Sequence, residues 1–174
     1  VYLAAGQQFH RTVVTGDSLS PQSIIGEIVD GWEITQRLKA PANQIISVDV
    51  MGTDFVRMTN TGVLNLSLSN EQGEEVARGS TPVDAIKNSK YVTLPLEQAG
   101  QIHQGESLTL SLTTQGCMPD HSISIYFGNT ITTGRFDIAQ QISTEDLYTV
   151  NTALGAGMLC ARLNGVREHG FYKI

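Results

Sequence analysis

Hydrophobic and polar residues alternate along most of this chain. In segment 63–69 (VLNLSLS) every second residue is leucine, and segment 107–113 (SLTLSLT) repeats the pattern. Successive side chains of a β-strand point to opposite faces, so both segments are predicted to be strands with one buried and one hydrated face. Similar patterns predict further strands at 7–14, 32–39, 46–50, 91–96, 122–127, 158–163 and 171–174.

Turn signals separate these segments. Asp30-Gly31, Gln72-Gly73, Gln104-Gly105 and Asn164-Gly165 each lie between two predicted strands, which favours antiparallel neighbours. Many half-buried strands hide their apolar faces most simply in two stacked antiparallel sheets. The pattern therefore predicts an all-β sandwich with little helix. Short helical turns are predicted within 81–89, and a helix start is predicted at Ser143 in the long, partly ordered connection 136–153.

Length and composition indicate a single domain and restrict its partners. The 174 residues suffice for a substantial core, and we divide them into an N-terminal arm or edge strand (1–23) and the sandwich (24–174). Seventeen acidic residues against eleven basic ones give a net charge of −6, without a basic cluster. This balance disfavours nucleic acid and anionic membrane surfaces as partners.

The chain contains no apolar run of the roughly 20 residues that a membrane helix needs. It starts at Val1 rather than Met. We expect either that a leader has been removed or that the chain is a piece of a longer protein, in which case it meets a membrane only through segments of the parent protein outside this chain.

Reactive groups are not concentrated anywhere in the sequence. The four histidines are far apart without a His-x-His pair, so no metal site is predicted. The chain has no Gly-x-Ser-x-Gly motif, and Gly155-Ala156-Gly157 precedes a strand-like segment rather than the helix of a dinucleotide site. We therefore expect no cofactor and no enzymatic activity.

A ligand on a sheet face would meet outward polar or aromatic side chains. The predicted ligand-binding residues are Arg37, Asp49, Asn65 and Tyr126. Asp49 alternates with apolar residues in mid-strand, and a structural ion pair with Arg37 or Arg57 is the competing interpretation of it.

Two side chains are predicted to point inward. Trp32 has the phase of Ile34 and Leu38 and is assigned to the core rather than to a sugar platform. Gln36 has the same phase, which predicts a buried amide with structural hydrogen bonds.

The sequence does not decide whether the two cysteines form a disulfide. Cys117 lies in a turn-rich segment and Cys160 in an apolar, strand-like one. They are predicted either to form a disulfide or to remain as one semi-exposed and one buried thiol.

Five segments carry a resemblance to a known group of domains. They are GEIVDGWEITQRLKAP (26–41), RMTNTGVLNLSLSNEQGEEVARG (57–79), YVTLPL (91–96), GESLTLSLTT (105–114) and GMLCARLNG (157–165). Together they resemble the extracytoplasmic jelly-roll domains of bacterial cell-envelope membrane proteins, which look like carbohydrate-binding modules. The resemblance implies a jelly-roll β-sandwich and a periplasmic or cell-surface location, and it supplies no catalytic signature.

Three functional hypotheses follow. The leading one is a non-catalytic accessory module that recognises an envelope glycan or a partner subunit. The second is a structural or oligomerisation module without sugar binding. The third is a carbohydrate-active enzyme, which would need two carboxyl groups about 5–10 Å apart in a groove.

Overall fold

The structure is a computed structural model that describes residues 10–17, 19–57, 59–88, 90–133, 136–139 and 142–169. The predicted all-β architecture is confirmed, since nearly all regular structure in these ranges is strand. Part of the candidate strand 7–14 and all of the candidate strand 171–174 lie outside the described residues.

The described strands form two large antiparallel sheets and a small one. The first sheet has the order β1 (His10–Thr15), β17 (Ala161–His169), β5 (Gln44–Thr53), β11 (Ser124–Gly128) and β16 (Met158–Leu159), with β8 (Lys90–Pro95) on β5 and β3 (Ser23–Ile24) on β11. The second sheet has the order β15 (Ala153–Leu154), β14 (Thr149–Val150), β4 (Ile34–Lys39), β10 (Ser107–Gln115), β6 (Val63–Ser69), β7 (Glu75–Pro82) and β9 (Glu97–Gln98). The small sheet contains β13 (Phe136–Ala139), β12 (Thr130–Thr133) and β2 (Leu19–Ser20).

The alternating leucines form the centre of the core. Their side chains on β6 and β10 are at most 2% exposed and pack with apolar residues of the first sheet, such as Val48, Val50 and Leu163. Full burial of each such side chain contributes roughly 1.5–3 kcal/mol. The two-sheet sandwich is therefore confirmed, whereas the jelly-roll connection of its strands stays a prediction.

Helical structure in the described ranges is short. A 3₁₀ helix, Val83–Ala85, lies within the predicted segment 81–89. A second one, Thr144–Asp146, begins where the sequence predicts, with the Ser143 hydroxyl accepting a hydrogen bond from the Glu145 amide.

Among the described strands, β1 lies at the edge of the first sheet. It pairs antiparallel with β17 from His10 opposite His169 to Thr15 opposite Asn164. The chain then contributes β2 to the small sheet and β3 to the first sheet. The segment assigned to an arm or edge strand thus takes part in the first sheet and in the small sheet.

Gln36 connects the two large sheets. Its side chain is 1% exposed, and its Oε1 accepts a hydrogen bond of 2.8 Å from the Leu159 amide of β16. Its Nε2 donates to the carbonyl oxygens of Arg37 and Asp146, both at 2.9 Å. The predicted structural role of this buried amide is confirmed, as is the inward position of Trp32, which packs against the core.

Candidate functional site

The four predicted ligand-binding residues do not form one site. Arg37 and Asn65 lie on β4 and β6 of the second sheet, at positions that alternate with core residues and therefore face outward. Asp49 and Tyr126 occupy the corresponding outward positions on β5 and β11 of the first sheet. The two pairs are therefore on opposite faces of the sandwich, so a ligand on one sheet face meets at most two of the four residues.

Asp49 is a structural residue rather than an exposed one. Its side chain accepts hydrogen bonds from Thr93 Oγ1 at 2.7 Å, Asn164 Nδ2 at 2.7 Å and Arg162 Nε at 2.9 Å. All three donors come from the strands that flank β5. The ion pair that the sequence predicts exists, but its partner is Arg162 and not Arg37 or Arg57.

The segment around Leu19 covers this part of the first sheet. The Leu19 carbonyl oxygen accepts from Tyr91 Oη at 3.5 Å and from Cys160 Sγ at 3.8 Å, and the Arg162 guanidinium stacks on the Tyr91 ring at 4.1 Å. Asp49 is consequently only 7% exposed. Burial acts to raise the pKa of Asp49, but the hydrogen bonds from Thr93, Arg162 and Asn164 outweigh it and lower the pKa.

Of the two alternatives for the cysteines, the disulfide does not form, and the expected semi-exposed position of Cys117 is wrong because its side chain is buried. Both are free and buried, and they have different neighbours. Cys117 Sγ lies 3.6 Å from the carbonyl oxygen of Thr61, whereas Cys160 Sγ faces Leu19. Burial raises the pKa of the Cys160 thiol to about 12, which keeps it protonated and unreactive.

A groove of about 650 Å³ crosses the outer face of the second sheet. Its lining residues come from β6, β7, β9 and β10 and from Glu33, which precedes β4. Asn65 is the predicted ligand-binding residue that lies in it. This surface, the second-sheet groove, is the best candidate for a binding site in the part of the chain that the structure describes.

Strand register aligns the side chains of the groove in rows. Ser111 of β10 lies opposite Ser67 of β6, and Ser67 lies opposite Arg78 of β7. Arg78 in turn lies opposite Glu97 of β9. A parallel row places Thr113, Asn65 and Ser80 side by side. Neighbouring strands are about 4.8 Å apart, so each row presents polar groups at regular intervals.

The polar groups of the groove contact one another near β7. Ser67 Oγ donates a hydrogen bond of 2.9 Å to Glu75 Oε1, and Arg78 Nη1 lies 3.9 Å from Glu75 Oε2. None of the described lining residues is aromatic. The groove can therefore form hydrogen bonds and ion pairs but offers no platform for stacking on a sugar ring.

Arg37 lies on the same sheet but outside the groove. Its Nη1 donates to Glu145 Oε2 at 3.0 Å, and the residue borders a second cavity of about 460 Å³ between β4 and β17. Of the four predicted residues, Asn65 lies in the groove, whereas the sequence analysis did not propose Ser67, Arg78 or Glu97 as ligand-binding residues. The alternation in 63–69 predicts that Ser67 faces outward, whereas Arg78 and Glu97 lie outside the predicted strands. The sequence also does not indicate which strands lie side by side.

Comparison with known proteins found no family model that matches the chain and no curated protein with significant sequence similarity. Across the described ranges, no cluster of three or more His, Cys, Asp or Glu side chains has a geometry that could hold a metal ion. No helix in the same ranges combines the length and apolar character needed to span a membrane.

Proposed function

We propose that this chain is a non-catalytic, extracytoplasmic recognition module that binds an envelope glycan in the second-sheet groove. The observation that supports the proposal is the groove itself, a concave polar surface formed by in-register side chains. Because it is built on strands whose opposite face is the core, these side chains are held in place before a ligand arrives.

The groups in the groove match the chemistry of sugars. Ser and Thr hydroxyls and the Asn65 amide both donate and accept hydrogen bonds, as the hydroxyls of a glycan do. Crossing from β4 to β9 involves five strands, a distance of ~19 Å at the usual strand spacing. That length suits a segment of an extended chain better than a single sugar.

Binding without aromatic stacking is expected to be weak. Each hydrogen bond contributes about 0.5–1.5 kcal/mol net, because it replaces one with water. A handful of such bonds leaves only a few kcal/mol after the cost of association, so we expect a Kd in the millimolar range.

Isothermal titration calorimetry with oligosaccharide fragments of envelope polysaccharides tests the proposal. Asn65→Ala should weaken binding about 3-fold or more, since it removes one good hydrogen bond. The matched control is Thr12→Ala, on the exposed part of β1 in the other sheet, which should bind like the wild type. Absence of millimolar binding to any glycan would reject glycan recognition, and release of reducing ends would show a carbohydrate-active enzyme instead.

A second candidate function is docking to a partner subunit or to another copy of the chain. It is favoured by edge strand β1, where Val13 is 62% exposed and the strand lies at the end of the sheet in the described part of the chain. Edge strands offer backbone groups to incoming strands. Light scattering over a range of concentrations tests self-association, and Val13→Lys should abolish any dimer.

A further inference from the structure

The second-sheet groove has more acidic than basic side chains. Its lining includes the carboxylates of Glu33, Glu75 and Glu97, and the one cationic side chain among the described lining residues is Arg78. Arg78 lies beside Glu75, so these two charges largely offset each other. The remaining charge comes from Glu33 and Glu97. Neither carboxylate lies within 4 Å of a cationic group in the described ranges, although Arg78 is also the cross-strand neighbour of Glu97.

These two carboxylates are at opposite ends of the groove. Glu33 precedes β4, whereas Glu97 lies on β9, and β10, β6 and β7 separate the two strands. The floor between them carries no net charge. Ser67, Ser111 and Asn65 face outward on β6 and β10, and the opposite charges of Glu75 and Arg78 lie together on β7. A ligand that spans the groove therefore meets hydroxyl and amide groups in the middle and a negative charge at each end.

Nearby cations do not reverse this charge. Arg37 is on the same face, but its guanidinium is paired with Glu145 at 3.0 Å. The whole chain carries a net charge of −6, which adds to the negative potential at the groove. An anionic glycan would therefore be repelled, whereas an ammonium group can donate up to three charge-assisted hydrogen bonds to a carboxylate.

We propose that the groove selects glycans that carry free amino groups and discriminates against glycans with carboxylate or phosphate groups. The inference rests on the proposed function, because it assigns the ligand class of the same groove. Protonated amines contact Glu33 and Glu97 at the two ends, while sugar hydroxyls bind the neutral floor.

Three oligosaccharides of equal length test this selectivity by calorimetry at mildly acidic pH, where sugar amines are protonated. They are an oligomer of glucosamine, its N-acetylated counterpart and an oligomer of galacturonic acid. The glucosamine oligomer should bind most tightly and the galacturonic acid oligomer most weakly. The preference for the amine should shrink at about 1 M salt, where the Debye length falls to about 3 Å.

Two single variants locate the effect. Glu33→Gln and Glu97→Gln should each weaken binding of the glucosamine oligomer about 2–5-fold, as expected for exposed ion pairs, and leave the N-acetylated oligomer unaffected. The matched control is Asp84→Asn, which removes one exposed carboxylate from the first 3₁₀ helix, outside the groove. It should change neither affinity.

Other binding results would overturn either the selectivity for amines or glycan binding as a whole. If the N-acetylated or the galacturonic acid oligomer binds as tightly as the glucosamine oligomer, the selectivity is refuted while glycan binding stands. If none of the three nor any neutral glycan binds, the proposed function itself fails. An oligomer of lysine is titrated as a fourth probe. If it alone binds, and both glutamine variants weaken it, the groove takes basic peptides and the assignment to amino sugars is overturned.

Discussion

Replacing Asp49 with alanine should destabilise the protein more than any other single change on the outside of the first sheet. The carboxylate holds three donors from two neighbouring strands, at 2.7, 2.7 and 2.9 Å. Asp49→Ala leaves these three donors without their acceptor in a region that the segment around Leu19 shields from water. Asn164 lies at the same place, where the register of β17 against β5 shifts, so the loss also weakens the pairing of these strands.

The size of the effect follows from burial. Removing one partner of a buried, hydrogen-bonded ion pair costs about 3–5 kcal/mol. Arg162 is 24% exposed and can turn partly to water, which places the expected loss near the lower end. For a chain of this length the loss corresponds to a fall in Tm of about 6–12 °C. Asp49→Asn, which keeps the shape and one acceptor oxygen, should cost about 1–3 kcal/mol.

The pH dependence separates charge from packing. Because the pKa of Asp49 is lowered by folding, its ionised form stabilises the protein fully above the ordinary value of about 3.9. This contribution is lost as the pH falls through the lower pKa of the folded state. Urea unfolding of the wild type and of Asp49→Asn should therefore give a stability gap at pH 7 that narrows below about pH 4.

Two results would refute the structural role assigned to the Asp49 carboxylate. A loss of less than about 1 kcal/mol for Asp49→Ala would show that the three hydrogen bonds contribute little beyond those made with water. A stability gap between the wild type and Asp49→Asn that stays constant through the acidic range would show that the carboxylate charge is unimportant. A double-mutant cycle with Arg162→Ala measures the coupling directly, with an expected value of about 0.5–3 kcal/mol.

Three further predictions concern single residues. Ser122 is fully buried, and its hydroxyl has no hydrogen-bond partner among the described residues. Ser122→Ala should therefore raise the free energy of unfolding by about 1 kcal/mol, and a lower Tm of this variant would contradict the prediction. In Gly155→Ala the new Cβ would lie 2.1 Å from the ring of Tyr148, and the centroid of that ring lies 5.3 Å from the centroid of the Phe127 ring. Urea unfolding should therefore show a loss of about 1–3 kcal/mol in the free energy of unfolding. An unchanged unfolding midpoint would show that the Tyr148 ring moves freely. Cys160 should resist iodoacetamide at pH 8 in the native protein and react after unfolding, as mass spectrometry would show; rapid native labelling would contradict its raised pKa.

The sequence by itself determined the architecture, because the alternation of leucine with serine, threonine and asparagine is a local property. A strand such as β6 buries every second side chain whatever its neighbours are, so the sandwich, the short helices and the inward Gln36 could all be predicted.

Only the tertiary structure decided which outward residues meet. Glu97 reaches the groove because β9 pairs with β7, and Ser111 because β10 pairs with β6, more than forty positions away in the sequence. Likewise, the partner of Asp49 is Arg162 on β17, and the segment around Leu19 covers the pair. Alternation assigns a side chain to a face of its strand. Strand order and register, which depend on the packing of the whole chain, decide what lies beside it.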